Sequence, residues 1–499
     1  MKHPAPALFI SLLALALTPL AAASSLLEEV RSGNQAAAFE SIQTGADVNA
    51  TEANGTTALH WAVHHGDLAV VRRLLEAGAD ANAINEYGAT PVSEAALLSN
   101  PEIMASLLQA GGDPDSRNAD GQTALMIVAR SNNLAVAKLL LDAGADVNAR
   151  EHWRGQNAII WAAAQSQPGM LRLLIAAGGD PDSRSNLNER ERQISAERRF
   201  QWRPAGGLTA LIYAAREGCQ ACAQILVEAG ADIDQGDAEN VTPLLAAIIN
   251  MHFDTAKYLV EAGANVNKWS FRGENPIYSA VDVNTIPHGG YPDRPATDQT
   301  SSLQMIRILL EAGANPNLQL KLQPTYRHIK DDRGADSLLG IGATPLLRAA
   351  KAFDIPAMKL LLQYGAHPNL PNRTGITPTM AAAGLGSSSI DTRGDYATPL
   401  AAQQSQQALA VMLAHGGDPN ARDNSGRTAL HGAAGWGWNE AVSYLANQGV
   451  DLMARDNNGF TPLDAALGQA TSTSGRGSSG LAHPETAELI RNLKSKGSE

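Results

Sequence analysis

The chain contains only two cysteines, Cys219 and Cys222, which lie three residues apart in the stretch REGCQACAQILVEAG. The apolar residues after Gly218 predict a helix, and side chains at positions i and i+3 of a helix are neighbours. The pair can therefore close a disulfide in an oxidising compartment. Redox chemistry is an alternative, because the start of a helix lowers a thiol pKa, and metal binding is another. The sequence favours an inert disulfide or packed thiols, because no βαβ pattern surrounds the pair and zinc would need two more ligands in range.

Recognised catalytic motifs are absent from the sequence. It contains no H-E-x-x-H, G-x-S-x-G or P-loop pattern. A match to G-x-G-x-x-G at Gly475 lies in a Ser/Gly-rich stretch that follows a helix and not a strand, which argues against dinucleotide binding. We therefore expect no catalytic residue, no cofactor, no metal site and no enzyme activity. An enzyme or redox protein that uses the CxxC pair or the long insertions is the alternative.

Arginine and aromatic residues cluster in one part of a chain whose formal net charge is −12. The stretch RSNLNERERQISAERRFQWRPAGG spans residues 184–207, and four of the seven tryptophans lie between residues 153 and 269. Trp, Tyr and Arg often anchor protein interfaces, and a basic loop favours an acidic partner surface. The predicted partner-binding residues are Trp153, Trp161, Arg190, Arg192, Arg198, Arg199, Trp202, Arg203, Tyr213, Trp269 and Phe271. The alternative is a solvated loop whose aromatic residues pack back onto the chain.

A repeated phrase predicts the elements that position these residues. Gly-Ala-Asp or a close variant recurs every 33 residues at first, at Gly45, Gly78, Gly111 and Gly144. A fixed period of this length indicates stacked supersecondary units. In one unit Thr57 is placed to cap a first helix, Gly66 breaks it, and a second helix begins near Leu68 and ends at Gly78.

The first helix of each unit carries its own phrase. TALHWA begins at Thr57, TPLLAA at Thr242 and TALHGA at Thr428. In phrase and period the chain resembles the ankyrin repeat family, whose signature is T-P-L-H-x-A. The resemblance implies an all-α solenoid of about eleven to twelve helix–helix–hairpin units. It also implies that first helices and hairpin tips form the surface that binds a protein partner.

The resemblance assigns residues 24–499 to the repeat array. Within it, residues 24–50 are a degenerate first unit, 51–454 are ten repeats and 455–499 are a capping repeat. Several units carry insertions of about 17–19 residues beyond the basic period. Two of them, at residues 184–207 and 319–342, enlarge hairpin loops. Three others, which begin at residues 284, 384 and 468, separate the two helices of a unit and are expected at the opposite edge.

Residues 1–23 differ from the rest of the chain. Lys2, the apolar stretch 7–17 and Ala21-Ala22-Ala23 follow the order of a cleavable, bacterial-type signal peptide. We therefore expect a periplasmic or secreted protein that is not inserted in a membrane, and the acidic charge argues against nucleic-acid binding. The leading hypothesis is an exported, monomeric, non-catalytic scaffold that binds a protein partner. A secreted effector acting on a host protein is the alternative, since fold alone does not decide.

Overall fold

The computed structural model describes residues 25–188, 205–285, 297–322, 337–387, 399–469 and 481–496. These residues form 24 α-helices and one pair of two-residue strands, which confirms the predicted all-α repeat solenoid. The predicted signal peptide, residues 1–23, lies outside the described residues. The chain separates into two compact units, Met1–Ala149 and Arg150–Glu499, a division that the repeat period does not predict.

Four helix pairs form the described part of the first unit. They are α1 (Leu26–Arg31) with α2 (Gln35–Gln43), α3 (Ala58–His64) with α4 (Leu68–Glu76), α5 (Pro91–Leu98) with α6 (Pro101–Gln109), and α7 (Ala124–Ser131) with α8 (Leu134–Asp142). The first helix of each pair contacts the first helices of its neighbours, and second helices contact second helices, so the pairs stack in two layers. Leu59, Leu74 and Leu107 are fully buried in this stack and form part of its core.

Eight helix pairs stack in the same way in the second unit. They are α9 (Ala158–Ala164) with α10 (Pro168–Ala176), α11 (Ala210–Arg216) with α12 (Gln220–Glu228), α13 (Pro243–Ile249) with α14 (Phe253–Glu261), α15 (Pro276–Asn284) with α16 (Ser302–Glu311), α17 (Pro345–Lys351) with α18 (Ile355–Gln363), α19 (Pro378–Ala382) with α20 (Pro399–Ala414), α21 (Ala429–Gly435) with α22 (Asn439–Asn447), and α23 (Pro462–Ala466) with α24 (Pro484–Lys496).

The Thr and His of the repeat phrase shape the start of a first helix. Thr57 Oγ1 accepts a hydrogen bond from the His60 backbone N–H at 3.3 Å, and His60 Nδ1 accepts one from the Thr57 N–H at 3.2 Å. His60 Nε2 lies 3.1 Å from the carbonyl oxygen of Ala89, so the ring also joins two repeats. Burial lowers the pKa of His60 and favours the neutral ring, which has one accepting and one donating nitrogen. The histidine of the phrase is therefore structural.

Asparagine side chains connect the turns that follow the second helices. Asn49 Nδ2 donates to the Gly78 carbonyl at 3.1 Å, and Asn49 Oδ1 accepts from the Asp80 N–H at 2.8 Å. Asp115 occupies the same place two repeats later and accepts from the Asp146 N–H at 2.9 Å. An ionised carboxylate has no hydrogen to donate, so Asp115 makes only the accepting half of the contact.

The enlarged hairpin loop of residues 184–207 begins and ends in the strand pair. Strand β1 (Leu187–Asn188) pairs antiparallel with β2 (Ala205–Gly206). Arg184 donates from Nε to the Gly207 carbonyl at 3.2 Å and from Nη2 to the Gly236 carbonyl at 3.1 Å, so this arginine holds the base of the loop. Residues 189–204 lie outside the described residues, and with them the predicted site residues Arg190, Arg192, Arg198, Arg199, Trp202 and Arg203.

The insertion that begins at residue 384 starts beside the layer of first helices. It follows α19, which contains only five residues. A Cβ atom added to Gly432 in α21 would lie 2.7 Å from both the Ala383 carbonyl oxygen and the Leu385 nitrogen. Residues 383–385 therefore lie against α21 in the layer of first helices, and residues 388–398, for which the sequence predicted the opposite edge, lie outside the described residues. The short helix and the missing side chain at Gly432 make the room.

Candidate partner-binding surface

Hairpin tips in the second unit are joined by backbone hydrogen bonds. A backbone N–H of one tip donates to a carbonyl of the tip before it, from Asn186 to Arg154 (2.6 Å), Ala238 to Gly206 (3.0 Å), Phe271 to Glu239 (2.6 Å) and Lys321 to Arg272 (2.9 Å). We call this row of tips, residues 153–154, 186–187, 238–239, 269–272 and 321–322, the hairpin edge. Because each tip is bonded to the next, their side chains keep a fixed order along the row.

Large apolar side chains project from the hairpin edge. Trp153 is 67% exposed, Phe271 45% and Trp269 42%. These three were predicted from the sequence, whereas Leu187 and Leu322, which are also exposed, were not. Single exposed apolar residues are ordinary, but five on one row of bonded tips resemble the patches that bind other proteins. Leucine in a turn next to an insertion was the signal that could have identified the last two.

Glu151 holds the turn that presents Trp153. Its buried carboxylate accepts hydrogen bonds from the backbone N–H groups of Trp153, Arg154 and Gln156, at 2.6, 2.8 and 3.0 Å. Hydrogen bonds to a charged acceptor are stronger than neutral ones, and three of them on one side chain restrict the turn. The indole is therefore presented on a backbone that is already ordered, which lowers the entropy lost when a partner binds.

Trp269 is held between two neighbouring tips. Asn240 Nδ2 donates to the Trp269 carbonyl at 2.6 Å, and Lys321 Nζ lies 4.2 Å from the centre of the indole ring. A cation at this distance over an indole face is attracted to it. An exposed lysine therefore lies beside the ring, and this part of the edge presents both apolar surface and positive charge.

Trp161 and Tyr213 occupy equivalent positions in α9 and α11, and both are partly buried in the structure. Both were predicted from the sequence as partner-binding residues, and their side chains are partly accessible. Gln156 Nε2 donates to Tyr213 Oη at 2.9 Å, and the Arg216 guanidinium lies 5.7 Å from the Tyr213 ring centre. The preceding repeat therefore contacts the Tyr213 hydroxyl, and an arginine of the same helix lies beside the ring. Since Gln156 also belongs to the turn of Trp153, Tyr213 lies beside the hairpin edge.

A third aromatic residue occupies the same repeat position in the first unit and was missed. Trp61 Nε1 donates to the Glu52 carboxylate at 3.1 Å, and the rings of His64 and His65 lie 5.8 and 6.1 Å from the indole. The sequence could have identified it, because Trp61 lies four positions after the cap residue Thr57, as Trp161 lies four positions after Asn157.

The two cysteines form a disulfide across the first turn of α12. Cys219 is the N-cap residue and partly exposed, whereas Cys222 is buried and its backbone N–H lies 3.2 Å from Cys219 Sγ. Within the residues that the structure describes, no group of three or more His, Cys, Asp or Glu side chains is placed to hold a metal ion. Nor is any helix of these residues long and apolar enough to cross a membrane.

Two layers of helices joined by bonded hairpin tips define a helical repeat protein. A family model of three tandem ankyrin repeats matches residues 26–118, 93–185, 192–283 and 400–473, and a model of one ankyrin repeat matches residues 341–373. These matches cover more than half of the chain, and the chain belongs to the ankyrin repeat family. Ankyrin-repeat proteins are typically non-catalytic scaffolds, and the repeats indicate protein partners.

One similar solved structure is the crystal structure of the ankyrin repeat domain of Bcl-3, described as a unique member of the IkappaB protein family. It is 28% identical, and the match covers 44% of this chain and 92% of that chain with a TM-score of 0.38.

Proposed function

We propose that this protein is a non-catalytic scaffold that binds a protein partner through the hairpin edge of its second unit. The observation that supports this most directly is the row of exposed apolar side chains at Trp153, Leu187, Trp269, Phe271 and Leu322. Their backbones are linked tip to tip, so a partner would meet an ordered row and not separate loops.

Positive charge on the same edge supports an acidic partner surface. Arg154 and Lys321 are exposed on the hairpin edge, and Arg373 is exposed on the tip that follows it, although the whole chain is acidic. Opposite charges at the rim of an interface mainly accelerate association and make it sensitive to salt. We therefore propose a partner whose contact surface combines apolar and acidic groups.

The test compares two double variants of exposed tip residues. Trp153→Ala with Phe271→Ala removes two rings from the hairpin edge, and Ile84→Ala with Tyr87→Ala removes exposed residues from a tip of the first unit. If the removed rings are interface anchors that each contribute about 2 kcal/mol, the double variant should lose about 4 kcal/mol, which is roughly 700-fold in affinity. The control variant should bind like the unaltered protein.

The assay is capture of proteins from an envelope extract, followed by a measured affinity for whichever protein depends on the hairpin edge. If both variants capture a protein as well as the unaltered chain does, that protein binds at a site other than the hairpin edge. Equal loss in both variants would indicate general damage and contradict the proposal.

We also propose that the protein is exported and acts in the periplasm or outside the cell. This rests on the order of basic, apolar and small residues in positions 1–23. Cell fractionation with N-terminal sequencing should find a mature chain that begins near Ser24. An uncut chain in the cytosol would contradict the proposal.

A further inference from the structure

The start of α12 uses a cysteine where other second helices use an ordinary cap. Cys219 is the N-cap residue, and its Sγ lies 3.2 Å from the backbone nitrogen of Cys222. In α8 the side chain of Asn133 accepts the equivalent hydrogen bond from Val136 at 3.0 Å. An asparagine or aspartate caps the second helix in five units, at Asn34, Asp67, Asn100, Asn133 and Asp354. Capping and apolar packing therefore do not explain why two cysteines stand here.

The disulfide closes a short loop that the backbone already orders. It joins residues three positions apart. The Ala223 N–H donates to the Cys219 carbonyl at 3.0 Å, so the first turn of α12 is hydrogen-bonded without the sulfur atoms. The entropy that a disulfide removes from the unfolded chain is smaller for shorter loops. A contribution to stability is therefore a weak reason for this pair.

The two cysteines differ in their access to solvent. Cys219 is partly exposed, and the two residues that follow it, Gln220 and Ala221, are exposed. Cys222 is completely buried. Thiol–disulfide exchange requires a thiolate to reach one of the two sulfur atoms. Cys219 is therefore the cysteine that a thiolate from solution can attack, and Cys222 is protected.

The start of α12 also suits a negative charge on Cys219. The helix contains nine residues, and the N–H groups of its first turn point out of the helix beside the N-cap residue. Partial positive charge at a helix start and a hydrogen bond from the Cys222 N–H both stabilise a thiolate at Cys219. Hydrogen bonds to a charged acceptor are stronger than neutral ones. The reduced pair therefore gains more from this position than the disulfide does, and a disulfide whose reduced form is stabilised is a stronger oxidant.

We propose that Cys219 and Cys222 form an exchange site that donates its disulfide to a dithiol of another protein. A substrate thiolate attacks Cys219 Sγ, the bond between Cys219 and Cys222 breaks, and Cys222 takes the electron pair and one proton. The second substrate thiolate then attacks the substrate sulfur of the mixed disulfide, and Cys219 leaves as a thiolate. The substrate loses two electrons and two protons. The cysteine pair gains both electrons and one proton, and solvent takes the other proton.

This reaction adds to the proposed scaffold function and does not depend on it. Each chain transfers one disulfide, so the reaction is stoichiometric and not a catalytic cycle. The sequence favours an inert pair, whereas the accessible Cys219, the buried Cys222 and the helix start favour exchange.

The first test asks which cysteine is the point of attack. Cys222→Val leaves Cys219 alone above the residue that α8 has at this position, and Cys219→Asn leaves Cys222 alone behind the usual cap. With oxidised glutathione as the probe, the folded Cys222→Val chain should form a mixed disulfide at least about tenfold faster than the Cys219→Asn chain. Mass spectrometry measures the rates, and in urea the two should become similar. Equal rates in the folded chains, or a faster reaction at Cys222, would overturn the proposal.

The second test measures the transfer itself with a dithiol of the same local sequence. A synthetic peptide of residues 216–229 is too short to form a stable helix, so it contains the same two cysteines without the folded helix start. The oxidised full chain is mixed with the reduced peptide at neutral pH, and alkylation stops the exchange. At equilibrium the disulfide should lie on the peptide by about fivefold or more, because only the folded chain stabilises the Cys219 thiolate. A disulfide that stays on the full chain, or is shared equally, would identify an inert pair and overturn the proposal.

Two variants serve as controls for the transfer. Cys219→Asn with Cys222→Val should transfer nothing and keep the helical signal of the unaltered chain. Trp153→Ala with Phe271→Ala should transfer the disulfide as the unaltered chain does, since the hairpin edge takes no part in the reaction. Loss of partner binding in this second variant together with normal transfer would support both proposals, and failure of either measurement leaves the other to be judged separately.

Discussion

Replacing Asp115 by asparagine is expected to stabilise the first unit. Asn49 and Asn82 stand at the same place in the two preceding repeats, and each donates from Nδ2 to the carbonyl of a glycine 29 residues later, at 3.1 and 2.9 Å. The matching glycine for position 115 is Gly144, to which a carboxylate cannot donate. Asparagine would add this hydrogen bond and keep the accepting contact from the Asp146 N–H.

The expected gain is about 1 kcal/mol. One added hydrogen bond contributes about 0.5–1.5 kcal/mol net. Burial raises the pKa of Asp115, and the nearby carboxylates of Asp146 and Asp113 raise it further, so the ionised side chain is disfavoured in the folded chain. Removing its charge therefore adds to the gain. A gain of about 1 kcal/mol changes an opening equilibrium by a factor of about five.

Native-state hydrogen exchange measures this gain locally in the full chain. Amides of α7 and α8 that exchange through opening of this region should slow by about fivefold at neutral pH. Asp113→Asn is the control, because it removes a neighbouring charge without adding a hydrogen-bond donor at position 115. Equal slowing in both variants would show that charge alone is responsible, and no slowing in Asp115→Asn would refute the hydrogen-bond argument.

The advantage of Asp115→Asn should also depend on pH. A carboxyl whose pKa is raised by folding favours the folded chain when it is protonated and opposes it when it is ionised. The cost of Asp115 is therefore present above its folded pKa and disappears as pH falls through that value. The difference between the two proteins should shrink at acidic pH, and a difference that stays constant would contradict this account.

Three further predictions concern the second unit. Gly432→Ala should destabilise it by about 1–3 kcal/mol, measured by thermal unfolding, because the new methyl group would lie 2.7 Å from the Ala383 carbonyl. Burial raises the pKa of Glu274 to about 7, so stability should fall as pH rises through 7, and Glu274→Gln should reduce this dependence in urea unfolding. Glu151→Ala should weaken partner binding at the hairpin edge with Trp153 unchanged, whereas loss of overall helicity would show a broader role than holding the turn.

Local sequence was sufficient to predict the repeat and its helices. Thr57 and Gly66 marked a first helix, which the structure places at Ala58–His64, and the second begins at Leu68 as expected. Caps and turns depend on residues within a few positions of each other, so the chain carries this information locally. The same local reading identified Trp153 and Phe271 as turn residues.

Local sequence did not predict the order and exposure of the site residues. Tyr213 is partly buried and bonded to Gln156, which lies 57 residues earlier. Trp269 acquires the ammonium group of Lys321 from the next tip. Such contacts depend on which turns become neighbours after stacking, and the long insertions prevent a fixed spacing from predicting them.

Only the tertiary structure decided which part of the first-helix surface is open. Arg348 and Asp282 look like exposed surface residues in the sequence, yet they are buried as an ion pair between residues 66 positions apart. The small residues Ala381 and Gly432 carry no local signal of what covers them. Burial is a property of everything that packs around a position, and here residues 383–385, which follow the short helix α19, pack against α21. The sequence determined the repeat unit, and long-range packing decided which surfaces a partner can reach.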